Sequence, residues 1–238
     1  VVNIAGPTST CPAVPVALTA SGGATYLWST GQTTATINVA PTATTTYTVT
    51  ATDLSGCTAS ASRTVTVLPS PVVTITGNNA ICVGGSTTLT ASGAASYLWS
   101  TGATTASITV NPASTTTYTV TATGTNGCTA TATRTVTVNN LPDANITGTA
   151  NICIGQSATL TASGGTAYVW STGATTAQIV VSPNVTTTYT VTVTNQNTCT
   201  STASFTVTVN PRPEIQITGN LSVCAGSSTT LTASGAAS

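Results

Sequence analysis

The chain's most reactive side chains are its seven cysteines, Cys11, Cys57, Cys82, Cys128, Cys153, Cys199 and Cys224. A thiol can form a disulfide, bind a metal or attack an electrophile. The last two uses need companions that this sequence lacks. It has no His and no Lys, and its six charged residues, Arg63, Arg134, Arg212, Asp53, Asp143 and Glu214, are scattered. Without imidazole there is no paired base for a Cys or Ser nucleophile and no His-ligated metal. Without Lys there is no side-chain amine for a Schiff base. Two thiols per repeat and no CxxC argue against zinc, and a hard cation such as calcium would need clustered carboxylates. The chain therefore reads as non-catalytic, with no cofactor and no metal site. Disulfide formation is the chemistry left to it.

The cysteines form two series, each with a step of 71: Cys11, Cys82, Cys153 and Cys224, then Cys57, Cys128 and Cys199. Members of the two series lie 46 apart within one repeat. This spacing predicts one bridge inside each repeat, Cys11 to Cys57, Cys82 to Cys128 and Cys153 to Cys199. Closing a loop of that length adds roughly 4 kcal/mol in the chain-entropy model, which matters to a domain too small for a large core. Cys224 is expected to be unpaired, its counterpart falling beyond residue 238. Disulfides persist in oxidising compartments, so the expected location is extracellular, on a cell surface or in a secreted filament.

Trp28, Trp99 and Trp170 keep the same step, as do Tyr47, Tyr118 and Tyr189. These aromatics are expected in the core, one Trp per repeat packed between sheets. The alternative is a sugar-stacking platform of Tyr26 and Trp28 on one strand face, which would turn Leu27, Leu98 and Val169 inward. A carbohydrate site also wants convergent polar groups, and none recurs: Asp53 has no counterpart in the other repeats, where Gly124 and Asn195 stand.

The elements that must hold these residues follow from the same period, which Gly6, Gly77, Gly148 and Gly219 also keep. A period of this kind is sought first because it decides the architecture. The expected units are 1–71, 72–142 and 143–213, followed by the first two strands of a fourth at 214–238. Pro71, Pro142 and Pro213 mark the junctions, since proline cannot donate to a strand ladder. Short proline-containing linkers are semi-rigid, which predicts an extended rod.

Inside a repeat the hydrophobic period is two. Thr117 to Thr123 turns Tyr118, Val120 and Ala122 one way and threonines the other, and Ser107 to Val110 pairs Ile108 with Val110. Turn formers separate such runs, as at Ser92-Gly93, Thr101-Gly102, Asn111-Pro112 and Asn126-Gly127. Six or seven short alternating strands in about 70 residues predict an all-β chain of tandem antiparallel β-sandwich modules. Threonine fills 62 of the 238 positions, and β-branched residues favour strands.

Charge is 3% of the chain and nets to zero. Three arginines cannot grip a nucleic-acid backbone, and no apolar run is long enough for a helical membrane span. An uncharged surface favours association. The expected partner is the chain itself, packed laterally or into a filament, and 214–238 is expected either to be completed by strands of another chain or to be a cut from a continuous array. Glycans are a further candidate, since Asn145, Asn184 and Asn220 stand in N-glycosylation patterns. Threonine ladders such as Thr46, Thr48 and Thr50 could order water on a flat face, as in ice-binding proteins. Twisted sandwich sheets make poor flat templates, however, and a solvated face built without charge is the simpler reading.

The string from Cys82 to Gly93, the run Tyr97-Leu98-Trp99-Ser100-Thr101-Gly102, the tract Thr115 to Thr121 and the segment Asn126-Gly127-Cys128-Thr129-Ala130 together resemble the Ig-like (PKD-like) repeats of large secreted and surface proteins of Bacteroidota. The resemblance implies an Ig-like sandwich, export by the type IX route and a place in an adhesin, filament or stalk. Unit one departs from it with Pro12-Ala13-Val14-Pro15, and Phe205 stands where the other units carry Arg63 and Arg134. The function that emerges is a structural or adhesive segment of an extracellular repeat protein. The alternative is a set of carbohydrate-binding accessory modules of a secreted enzyme.

Overall fold

The computed structural model describes residues 1–235. Every regular element among them is a β-strand. The first seven are β1 (Asn3–Ala5), β2 (Ser9–Thr10), β3 (Val16–Ser21), β4 (Thr25–Trp28), β5 (Thr36–Val39), β6 (Thr45–Thr52) and β7 (Thr58–Val67). They make two sheets, one ordered β1-β3-β5 and the other β2-β7-β6-β4. All pairs in these two sheets are antiparallel except β2 with β7, which run parallel. The chain therefore changes sheet between β1 and β2, an immunoglobulin-like sandwich topology.

Alternation explains which faces meet. β6 turns Tyr47, Val49 and Ala51 inward and Thr46, Thr48 and Thr50 outward. Ile4, Leu18, Ala20, Ile37 and Val39 from one sheet pack on Trp28, Tyr47, Val49 and Val65 from the other. The indole of Trp28 is 2% exposed. Its Nε1 donates to the Thr34 carbonyl at 2.9 Å, so the core aromatic also fixes the loop leading to β5.

The pattern returns at each step of 71. Thr74–Thr76, Thr87–Ser92 and Ser107–Val110 form one sheet of the second sandwich, and Ala80–Cys82, Thr129–Asn139, Thr116–Thr123 and Ser96–Trp99 the other. Asn145–Gly148, Ala158–Ser163 and Gln178–Val181 face Asn151–Cys153, Thr200–Asn210, Thr187–Thr194 and Ala167–Trp170 in the third. Trp99 and Trp170 are each 2% exposed and bond Thr105 and Thr176 as Trp28 bonds Thr34. Beyond them Gln216–Thr218 pairs with Thr232–Ser234 as a two-stranded ribbon. The chain divides into two compact units, Val1–Val138 and Asn139–Ser238. The first holds two sandwiches, the second one sandwich and the ribbon.

The recurring Gly77 marks the sheet change. Its φ is +127°, and a Cβ there would lie 2.3 Å from the Thr88 carbonyl oxygen of the strand beneath. Arg134 donates to the Gly77 carbonyl at 2.7 Å, and Arg63 reaches Ile4, Gly6 and Pro7 carbonyls at the same crossover of the first sandwich. Phe205, at the corresponding place in the third, packs against the core instead.

The disulfides are not inside the sandwiches. Cys11 is bonded to Cys128, 117 residues away. Cys57 is an exposed free thiol, as are Cys153 and Cys224. Cys82 and Cys199 are disulfide-bonded. The expected Cys11–Cys57 and Cys82–Cys128 bridges, and the Cys153–Cys199 bridge, are therefore corrected. The reason is strand length. Cys11 follows β2, whose last residue registers with Val67 at the end of β7, while Cys57 immediately precedes β7. Ten strand residues at about 3.3 Å each separate the two by roughly 30 Å, against a Cα–Cα reach of about 4.4–6.8 Å for a disulfide.

Trp99→Ala should cost about 3–5 kcal/mol by emptying the core and orphaning the Thr105 carbonyl. Gly77→Ala should cost more than about 1 kcal/mol through backbone strain and the close carbonyl. Thermal unfolding followed by circular dichroism reads both; unchanged midpoints would show the core and crossover assignments to be wrong.

Candidate functional site

The junction between the first two sandwiches is where side-chain chemistry concentrates, and the turn joining Thr116–Thr123 to Thr129–Asn139 builds it. Gly124 N donates to the Cys128 carbonyl at 2.8 Å and Gly127 N to the Gly124 carbonyl at 3.0 Å. Asn126 uses both ends of its amide. Its Oδ1 accepts from Cys128 N at 3.1 Å, and its Nδ2 donates to the Pro69 carbonyl of the linker at 2.8 Å. The tight turn thus presents Cys128 and grips the linker together.

Cys11 sits beside that linker because β2 runs along β7 to its end. Leu68 N donates to the Thr10 carbonyl at 2.9 Å, and Cys11 is the next residue. Its Sγ meets that of Cys128 with the two Cα atoms 5.4 Å apart. Cys128 is fully buried, whereas Cys57, at the same turn of the first sandwich, is exposed. The junction is a covalent staple over a hydrogen-bonded linker. In the chain-entropy model a loop of 117 residues is worth roughly 5 kcal/mol. In the second unit Asn195 Nδ2 donates to the Asn140 carbonyl at 2.9 Å and Ser201 Oγ to the Pro142 carbonyl at 2.6 Å. That linker is held in the same manner.

The sequence-derived candidates can now be placed. Tyr47, Tyr118 and Tyr189 are buried with the three tryptophans. Leu27, Leu98 and Val169 are more than half exposed, the opposite of what the sugar-stacking platform requires. Asp53 is spent on its own turn, Oδ1 accepting from Ser55 N at 2.8 Å and Cys57 N at 2.9 Å. All three arginines donate to backbone carbonyls, Arg212 to Ile154 at 3.3 Å. Among the described residues no group of three or more His, Cys, Asp or Glu is arranged to hold a metal. No helix there is long and apolar enough to cross a membrane.

The outer face carries hydroxyls that pair with one another. Across β6 and β7, Thr46 bonds Thr64 at 2.8 Å, Thr48 bonds Ser62 at 3.1 Å and Thr50 bonds Ser60 at 3.1 Å. Thr117 with Thr135 and Thr188 with Thr206 repeat the first of these. Such cross-strand pairs stabilise a sheet without charge. The junction residues Asn126 and Asn195 were missed by sequence reasoning. The available signal was their place two to four residues before a cysteine, in the segment that follows a strand.

No family model matches this chain, and no curated protein does. Among solved structures, a Ca2+-stabilized adhesin with which an Antarctic bacterium binds ice shares 18% identity, covering 92% of this chain and 76% of its own, at a TM-score of 0.38. A 1.5-MDa bacterial ice-binding adhesin shares 17%, covering 89% and 98%, at 0.33. Immunoglobulin domains 1–5 of Sidekick-1 share 15%, covering 89% and 59%, at 0.30. Likenesses this distant carry no argument about ligand or function.

Alkylation without reductant should label three thiols, Cys57, Cys153 and Cys224, and all seven cysteines after reduction in denaturant. Bridges confined to single repeats would leave only Cys224 open to the reagent.

Proposed function

We propose that this chain is a non-catalytic structural segment of an extracellular adhesive protein, a stack of stapled modules that forms or decorates a surface filament, stalk or sheath. The Cys11–Cys128 bond carries the reading. A bridge inside a module would only stabilise that module. A bridge between modules makes them resist being drawn apart, which suits a part that transmits tension. The bond also requires an oxidising compartment, in keeping with a location outside the cell. The sequence resemblance to repeats of Bacteroidota surface proteins adds the type IX route as the means of export. Module boundaries at 71/72, 142/143 and 213/214 belong to this reading, as does an extended rod.

Tension applied between the chain ends would pass from Cys11 directly to Cys128, so the loop that they close could not be drawn out to its full length. Single-molecule stretching should therefore show a fully extended length at least roughly 400 Å shorter without reductant than with it, from a loop of 117 residues at about 3.5 Å each. Equal lengths in the two conditions would end the tension-bearing reading.

Self-association belongs to the same proposal. The ribbon of Gln216–Thr218 and Thr232–Ser234 leaves Ile217 at 63% and Leu231 at 52% exposure, where the corresponding Ile4 and Leu18 of the first sandwich are buried. Either strands of a second copy or further strands of the same repeat would cover that half-core. Sedimentation velocity should show concentration-dependent association that Ile217→Asp with Leu231→Asp weakens at least fivefold. A monomer at every concentration would remove this part.

A further inference from the structure

We propose that the upstream end of the first sandwich is a docking socket for the downstream end of another module of this same repeat, closed by a disulfide to Cys57. The inference rests on the stapled-stack reading and extends it to a surface.

Two depressions on the first unit occupy corresponding places. One is lined by Gly22, Gly23, Ala24, Asp53, Leu54 and Ser55. The other is lined by Gly93, Ala94, Ala95, Gly124, Thr125 and Asn126, which are the same six positions moved by 71, together with Pro69, Ser70 and Pro71. The second therefore shows what the surface holds: the proline linker at the downstream end of a module. Beside it the cysteine of the turn is buried in a bond to the cysteine that follows β2.

The first sandwich has the same fittings. Its turn closes identically, with Asp53 N donating to the Cys57 carbonyl at 2.9 Å and Gly56 N to the Asp53 carbonyl at 3.1 Å. Gly56 and Gly127 share a left-handed backbone, φ +84° and +81°. Leu54 is 96% exposed and Cys57 is an exposed thiol. Ser55 stands where Asn126 donates to the linker carbonyl, and Asp53 where Asn195 does; of the two, only the Ser55 hydroxyl is a donor. The occupant must bring a proline-containing linker and a cysteine beside its β2 equivalent. A module of this repeat meets both needs. Closure joins the Cys57 thiol to the incoming thiol. The two protons and the electron pair pass to a small-molecule disulfide, which is reduced to two thiols.

The test is a chain carrying a second copy of residues 1–71 ahead of Val1, which reproduces the Pro71–Val72 junction as Pro–Val. It is refolded in a mixture of oxidised and reduced glutathione and mapped by mass spectrometry. The expected result is Cys57 joined to the added copy of Cys11, with alkylation of Cys57 reduced at least tenfold and the added copy of Cys57 as the new free thiol. Cys57→Ser in this chain should leave the added copy of Cys11 reactive. Cys57 still labelled while Cys11–Cys128 forms would overturn the socket and leave the stretching prediction standing. Absence of both bonds would overturn the socket together with the stapling beneath it.

Discussion

A bond between neighbouring sandwiches, Cys11 to Cys128, is the constraint around which the rest of the first unit is arranged. It needs two distant chain features to arrive at one place. β2 must run parallel to β7 so that Cys11 reaches the downstream end of its sandwich. The turn Gly124–Cys128 must fold tightly at the upstream end of the next sandwich, with Asn126 holding the linker while the sulfurs meet. The sheet change at Gly6 and Gly77 serves the same end, because it sends the first strand's continuation into the second sheet. In the first two sandwiches a small core of one tryptophan, one tyrosine and a few aliphatic residues works beside this covalent tie.

The scarcity of charge, 3% of the chain, fits this arrangement. In most soluble domains ionised side chains keep the outer face hydrated and molecules apart. Here threonine and serine hydroxyls pair across strands, and all three guanidinium groups are drawn onto backbone carbonyls. That leaves no cluster of free cations for an anionic ligand. It also leaves a surface on which contacts between copies carry little desolvation cost for charge.

Much of the fold was legible in the residues. The strict step of 71 gave the repeat, the alternation in Thr116–Thr123 gave inward and outward faces, and one Trp per repeat gave the core. The strand at Ala80–Cys82 was too short to show a period. The disulfide partners were hidden for a different reason. In a perfect repeat every first-series cysteine is equivalent to every other, so separations of 46 and 117 differ by one whole period and look the same in sequence. Only the length of β7, which holds Cys57 far from Cys11, distinguishes a bridge within a module from one to the next. Asn126 and Asn195 were obscure for a related cause, since their donors act on the preceding linker and not on the module that carries them.

Trypsin offers the most direct measurement, because the sequence supplies so few sites. It cleaves after Arg63 and Arg134 and passes over Arg212, which precedes a proline. The chain, unfolded in urea with its free thiols blocked, is digested and run on a gel without reductant. The staple predicts that fragment 1–63 travels with fragment 64–134 and is released only when reductant is added. Release of fragment 1–63 before reduction would mean that Cys11 is bonded within its own repeat or not at all, and either result would contradict the tie between modules.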